Sequence, residues 1–433
     1  MCVPDFTLYS LIPQLIYALL GSTHRASTES ATQLVWSLLL CQSLHPSDLA
    51  RSLPALRTTR ARQALRRIRR AIDCPHLSSR YLSQFLIRAA LRIVSDAEVM
   101  LILDSTRCIC WEIFTLGIMF HGRVLPVAWQ ILPYPWPKKQ FTPNVVALVN
   151  RTLSCWPCDR RVNLLADRGF PSLKLFRVLD GWRKTIPLGY TIRLRAADWV
   201  RLQNGQTVKI AELINGVVPG VWASCLASYQ RRSKAGMPAL LVFGRGVPIY
   251  PAHQTGPTDQ ARRLARENRR KAHLRSKHQA KAPETDGIWV LLSTAVDDSQ
   301  AREQYAYRFR TEGMYRDLKS WDLEVVARHE NDAEYLDRLL GLVALGYFVQ
   351  AALGAMAGRA NDEKARARQR QWTTTDRVSI FWRGRQVLHD RAHDWRSWLR
   401  ATLPEIACQI NPHSSLRYQA STPPPSSRSK EAA

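Results

Sequence analysis

The sequence predicts an α/β fold, on three observations. Apolar residues recur at helical spacing through roughly the first 95 residues. From Val99 the texture changes to apolar runs of strand length, at residues 99–103, 113–120, 124–132 and 162–166. The last run leads into a helical pattern over residues 172–182, and further strand-like runs follow before a helical segment at 305–319.

In order, the N-terminal part reads as helices at 8–20, 34–44, 48–53, 58–72 and 81–94, with Gly21 and the cluster His45, Pro46, Ser47 as breaks. Residues 58–72 carry Arg60, Arg62, Arg66, Arg67, Arg69 and Arg70 with Leu65, Ile68 and Ile72 between them, a basic amphipathic helix. A solvated face is one reading of it; the chain's charge favours the other, a DNA-backbone contact through Arg66, Arg67 and Arg70. The runs at 113–120 and 124–132 meet at Gly122, which predicts a hairpin. Beyond 319, residues 323–329 lead to a long helix at 333–356, rich in Leu, Val and Ala, read as core support or a dimer surface. Residues 359–400 alternate Arg with Trp372, Trp382, Trp395 and Trp398, a pattern that suits nucleic acid or a small helical subdomain. The tail from Ser421 is Pro/Ser-rich and is expected to be disordered.

A chain of 433 residues, 46% hydrophobic, is long enough for two or three domains with their own cores. Its 62 Lys plus Arg against 35 Asp plus Glu give a net charge of +27, far beyond what a neutral small-molecule enzyme needs. A polyanion is the expected partner, nucleic acid first. The most apolar runs, 6–20 and 336–357, are broken by Pro13 or carry Asp337 and Arg338, so neither reads as a membrane span, and no secretory signal is seen. Nine cysteines without regular spacing point to a reducing compartment. Cys108 and Cys110 form one pair and Cys155 and Cys158 another; a zinc site joining them is the sharper reading, incidental thiols the default.

Residues 305–319 organise the rest. On a helix of about 100° per residue, Tyr305, Arg308, Glu312 and Lys319 fall within roughly 60° of one another. Tyr307, Met314, Leu318 and Trp321 lie about opposite, an apolar side for docking on a core. Asp297, Asp298 and Ser299 offer N-cap oxygens just before this segment. Two strand-like runs end in acids, Asp104 and Asp167, and a carboxylate at the end of a buried strand needs a cation or a hydrogen-bond network. Hard oxygen ligands converging from strand ends and a helix face suit Mg²⁺. A pair of such ions about 4 Å apart can clamp the attacking and leaving oxygens of a phosphodiester.

The order Asp104, Asp167, Glu312, with Tyr305, Arg308, Glu312 and Lys319 in Y-R-E-K spacing, resembles the DDE transposases of bacterial insertion sequences, in the insertion-sequence-four family that includes the transposon-five transposase. LILDST at 101–106, GRVLPVAW at 122–129, LLADRGF at 164–170 and the run 190–195 with Arg193 are similar to that family's core blocks. The resemblance spans roughly residues 98 to 350.

It implies an RNase H-like catalytic core with a β-rich insertion between the second Asp and the Glu, flanked by helical N- and C-terminal regions. On that scheme residues 1–95 are a basic helical region, 96–185 and 297–358 the two parts of the core, and 186–296 the insertion with a basic loop at 260–282. Residues 359–420 form a C-terminal helical region and 421–433 a tail. Asp104, Asp167 and Glu312 would be catalytic and would hold two Mg²⁺, with Mn²⁺ able to substitute. Tyr305, Arg308, Lys319 and Arg193 would contact DNA, and Trp289 would stack a flipped base if a hairpin intermediate forms, with a core strand residue as the competing reading. Residues 262–281 carry nine Lys or Arg and one acid, a basic loop or a segment that orders on DNA. The implied activity is cleavage at transposon ends and strand transfer into target DNA by a homodimer on double-stranded DNA, in the cytoplasm at the nucleoid. The alternatives are a catalytically silent DNA-binding protein on the same fold and a nuclease that cuts without joining.

Overall fold

The protein, a computed structural model, is described here over residues 25–53, 61–137, 139–231, 234–246, 288–367 and 379–389. The helix expected at 8–20, the basic run 262–281, Trp372, Trp395, Trp398 and the tail lie outside the described residues.

Four helices come first: α1 (Arg25–Cys41), α2 (Pro46–Ser52), α3 (Ala61–Ile72) and α4 (Ser79–Ile93). Helix α3 buries Ala64, Ile68 and Ile72 and turns Arg66, Arg67 and Arg70 to solvent, as its amphipathic pattern predicts. Then follow β1 (Glu98–Cys108), β2 (Trp111–Phe120), β3 (Arg123–Pro133), α5 (Phe141–Leu153), β4 (Arg161–Ala166), α6 (Leu173–Trp182) and β5 (Leu188–Arg193). The next group is β6 (Trp199–Leu202), β7 (Thr207–Lys209), α7 (Ile210–Asn215), β8 (Trp222–Arg231), β9 (Lys234–Ala235), β10 (Ala239–Arg245) and β11 (Ile288–Ser293). The chain continues with α8 (Asp298–Ala306), a 3₁₀ turn (Tyr307–Phe309), α9 (Arg310–Lys319), α10 (Leu323–His329), α11 (Ala333–Ala367) and α12 (Ile380–His389).

The strands form one mixed sheet in the order β3-β2-β1-β4-β5-β11-β10-β8-β6-β7, with β9 on β8. β2 pairs antiparallel with β1 and β3, while β4 runs parallel to both β1 and β5. Strand β2 is buried along nearly its whole length, which is why it reads as a continuous apolar run rather than an alternating one. His121 and Gly122, both at positive φ, make the expected hairpin turn between β2 and β3. The β-rich stretch after β5 does not stand apart as its own sheet. β11 pairs antiparallel with β5, so these strands extend the sheet edge to edge. Short β6, β7 and β9 escaped the sequence reading because runs of two to four residues carry too little periodicity.

Helix α11 settles the two readings offered for 333–356 in favour of core support. Residues Ala333–Ala355 are long and apolar enough to cross a membrane by length and composition, yet 94% of their most apolar 18-residue window is buried inside the protein. Gly341 lies against the Leu77 carbonyl and Gly346 against Leu38, so the helix seats directly on the N-terminal helices.

At its start, Asp337 accepts a hydrogen bond from the Ser79 N–H (3.1 Å). Burial pushes its pKa up to about 6 despite that bond. The folded carboxyl therefore holds its proton to higher pH than the unfolded one, so its stabilising contribution is full below about pH 4 and is lost as pH rises through about 6. At neutral pH the ionised group opposes folding by about 3 kcal/mol. Asp337→Asn is expected to raise the thermal midpoint near pH 7 and leave it almost unchanged near pH 4. An equal gain at both pH values would contradict this account.

Candidate active site

The parallel ladder between β1 and β4 ends at Leu103 opposite Ala166, and the next residue on each chain is an acid. Asp104 is not at a strand end, as the sequence suggested. β1 runs on to Cys108 because β2 keeps pairing with it, Asp104 opposite Thr115. Asp104 is thus inside a strand yet just past the end of the β4 ladder, beside Asp167. A sequence shows where an apolar run stops, not which neighbour stops pairing.

The segment 305–319 is not one continuous α-helix. α8 is capped by Asp297, whose side chain accepts from the Gln300 N–H (2.7 Å), as the acidic cluster predicts. It ends at Ala306, a 3₁₀ turn spans Tyr307–Phe309, and α9 restarts at Arg310. The change of pitch moves Tyr305 off the solvent side. Tyr305 is fully buried with edge contacts to Trp289 and Phe309, whereas Tyr307, expected on the apolar side, is 40% exposed. Met314, Leu318 and Trp321 are buried as expected. Gln304, also buried, pins α8 to the sheet: it donates to Glu98 (3.0 Å) and accepts from Thr191 (3.2 Å).

Arg308, on the 3₁₀ turn, meets both aspartates. One guanidinium nitrogen, Nη2, lies 3.1 Å from Asp104 Oδ1 and 3.3 Å from Asp167 Oδ2. The remaining carboxylate oxygens are taken as well. Tyr305 donates its hydroxyl to Asp167 Oδ1 (3.1 Å), and Arg193 Nη1 stands 3.8 Å from the same atom. Thr311 donates to Asp104 Oδ2 (2.6 Å), and the Ser105 N–H donates to Asp104 Oδ1 (2.9 Å). Thr311 is fully buried and was missed in the sequence, since a Thr beside Glu312 carries no chemical signature of its own.

Burial sets the electrostatics. It raises the Asp104 pKa, with Arg308, Thr311 and Ser105 pulling the other way. For Arg308 burial acts downward, but Asp104 and Asp167 outweigh it and the guanidinium stays firmly charged. Burial and then the negative charge of Asp167 hold the Tyr305 hydroxyl well above its ordinary pKa, so it remains a donor.

The other expected residues fall into place unevenly. Arg193 sits 4.0 Å over the Trp289 ring and donates to the Ile288 carbonyl, so one face of that indole is covered by a cation. Trp289 packs beside the small buried cluster Val242, Leu291, Ala301 and Tyr305, as a core strand residue would. Lys319 pairs with Glu324 rather than with either aspartate. Glu312 is exposed, on the first turn of α9. Among the described residues no three His, Cys, Asp or Glu side chains gather closely enough to hold a metal ion. That finding covers the three acids, and it removes the zinc reading of Cys108, Cys110, Cys155 and Cys158. The Asp104–Asp167 pair alone does fit a hard cation by its chemistry: two carboxylates converge on one positively charged atom.

Helix α9 is braced from behind. Arg123 Nε lies 3.0 Å from buried Asp317 as an ion pair, though off hydrogen-bonding angle, and Tyr347 donates to the same carboxylate (3.1 Å). A Cβ on Gly313 would meet the Arg123 guanidinium at 2.9 Å, so the glycine beside Glu312 lets that arginine pass.

No protein-family model matches the chain, and no curated protein matches it significantly. Among solved structures it is similar to a piggyBac transposase synaptic complex with hairpin DNA, at 11% identity and a TM-score of 0.32, over 94% of this chain and 77% of that one. At that TM-score the superposition carries no argument about activity.

Proposed function

We propose that the chain is a DDE-type transposase that cleaves DNA at transposon ends and transfers the freed strand to a target. The observation that carries this reading is the meeting of Asp104 and Asp167 with Tyr305 and Arg308, four residues from three distant parts of the sequence. The strand order β3-β2-β1-β4-β5, with β1, β4 and β5 parallel and both acids past the β1–β4 ladder, supports an RNase H-like core.

In this reading Asp104 and Asp167 are the first oxygen donors to divalent metal and Glu312 the third. Bound Mg²⁺ would activate water and stabilise charge on the transferring phosphate. Tyr305 and Thr311 orient the two aspartates through their hydroxyl protons. Arg193 and Arg308, which contact the two aspartates, would grip phosphates near the cut, with Lys319 on the last turn of α9. Cutting and joining two ends together calls for a dimer on double-stranded DNA. A catalytically silent DNA-binding protein on the same fold is the second reading, favoured by the exposure of Glu312 and by the absence, among the described residues, of three gathered acids.

Glu312→Gln separates the two. Metal-dependent nicking of a terminal repeat should disappear while binding of the same DNA persists. Near-normal nicking by this variant refutes the role given to Glu312, and no nicking by the unaltered chain favours the silent reading.

A further inference from the structure

The position of Arg308 bears on how the site would load its ions. All four oxygens of Asp104 and Asp167 are engaged by protein donors: Arg308 and Ser105 on one, Thr311 on the second, Tyr305 and Arg193 on the third, Arg308 on the fourth. Two carboxylates face two guanidinia, so the formal charges cancel and little field remains to draw in a divalent cation. An ion bridging both carboxylates would approach their oxygens to about 2.0–2.1 Å for Mg²⁺. Arg308 Nη2, at 3.1 and 3.3 Å from the same two side chains, stands in that space. The two cannot be there together.

Arg308 is also incompletely satisfied, since its Nε is buried without a hydrogen-bond partner. A phosphate oxygen presented from outside would give the guanidinium a charge-assisted partner that its present pose lacks.

On the reading of the preceding section, we propose that Arg308 is a built-in competitor of the divalent ions: it holds Asp104 and Asp167 while DNA is absent, and yields their oxygens when a DNA phosphate draws it away. Ion binding and DNA binding are then coupled, each strengthening the other by the same factor.

The test is Mn²⁺ binding by the full-length chain, followed through the electron paramagnetic resonance of the free ion, with and without a duplex of its terminal repeat. The unaltered chain should bind Mn²⁺ weakly alone and at least about fivefold more tightly with DNA. Because phosphates can ligate Mn²⁺ themselves, the deciding arm is DNA-free. Arg308→Gln should bind Mn²⁺ without DNA at least about fivefold more tightly than the unaltered chain, and should gain less on adding DNA. Arg193→Gln removes the same charge beside Asp167 without clearing the space between the carboxylates, and should gain less than Arg308→Gln. Unchanged or weaker DNA-free affinity in folded Arg308→Gln overturns the proposal, and so does an equal gain in both variants. Thermal melting establishes that each variant is folded. Arg308→Lys, whose ammonium has no fork to span both acids, should fall between the two and carries the comparison if Gln does not fold. Failure of the underlying reading has its own sign: the unaltered chain does not nick a terminal repeat with any divalent metal, whatever its Mn²⁺ affinity.

Discussion

Asp104→Asn is expected to lower metal-dependent nicking by on the order of a thousandfold, the loss of several kcal/mol of transition-state stabilisation. The substitution keeps volume but removes the charge, and the local hydrogen bonding can rearrange around it. Three donors converge on Asp104, the Ser105 N–H, Arg308 and Thr311. An asparagine can keep its oxygen toward Arg308 and the Ser105 N–H and turn its NH₂ to Thr311, whose hydroxyl then accepts from it and donates to the Arg308 carbonyl (2.8 Å). Binding of the terminal repeat should be kept or tightened, because an acid has been taken from a surface that meets phosphates. Nicking within about tenfold of the unaltered rate, a factor worth only about 1.4 kcal/mol, would show that Asp104 has no part in the chemistry.

Gly341→Ala is expected to destabilise the fold by at least about 3 kcal/mol. A Cβ there would lie 1.8 Å from the Leu77 carbonyl oxygen and 2.8 Å from its carbon, with the Leu82 side chain at 2.9 Å. Backbone cannot rotate aside as a side chain can. Helix α11 must instead lift from the N-terminal helices, opening its contact with Leu77 and Leu82, both buried. A thermal midpoint lower by on the order of 10 °C, or recovery only as aggregate, is the expected outcome. Gly181→Ala is the control, since nothing lies within 4 Å of a Cβ in that helix. It should gain up to about 1 kcal/mol from helix propensity alone. If both variants melt alike, the close contact at Gly341 is not what holds the two layers.

Much of the sheet was legible because its strands are apolar runs bounded by turns, and the β2–β3 hairpin was marked by Gly122. Asp104, Asp167 and the helical segment after Asp297 could be picked out by type and spacing. Their arrangement could not. A continuous-helix projection placed Tyr305 on a polar face, but the 3₁₀ turn at Tyr307–Phe309 changes the pitch, and two aromatic rings, Trp289 and Phe309, pack edge-on against the phenol. Arg308 reads in the sequence as a phosphate contact because nothing local reveals carboxylates that lie more than a hundred residues earlier in the chain. Thr311 and the Arg123–Asp317–Tyr347 brace were likewise hidden. Each depends on partners brought together by tertiary packing, which no window of neighbouring residues encodes. The joining of β11 to β5, which merges the expected insertion with the rest of the sheet, is a long-range pairing of the same kind.

The register of β10 against β11 has a consequence for how this protein can change over time. Arg245 pairs with Ile288, so the chain leaves the sheet and returns to it at adjacent positions. A span tethered in this way can lengthen, shorten or be replaced with little penalty, each doubling adding only about 0.6 kcal/mol of closure entropy. Trp289, which follows immediately, and Arg193, on the neighbouring strand β5, are held by pairings outside that span and can keep their places while its length and composition change.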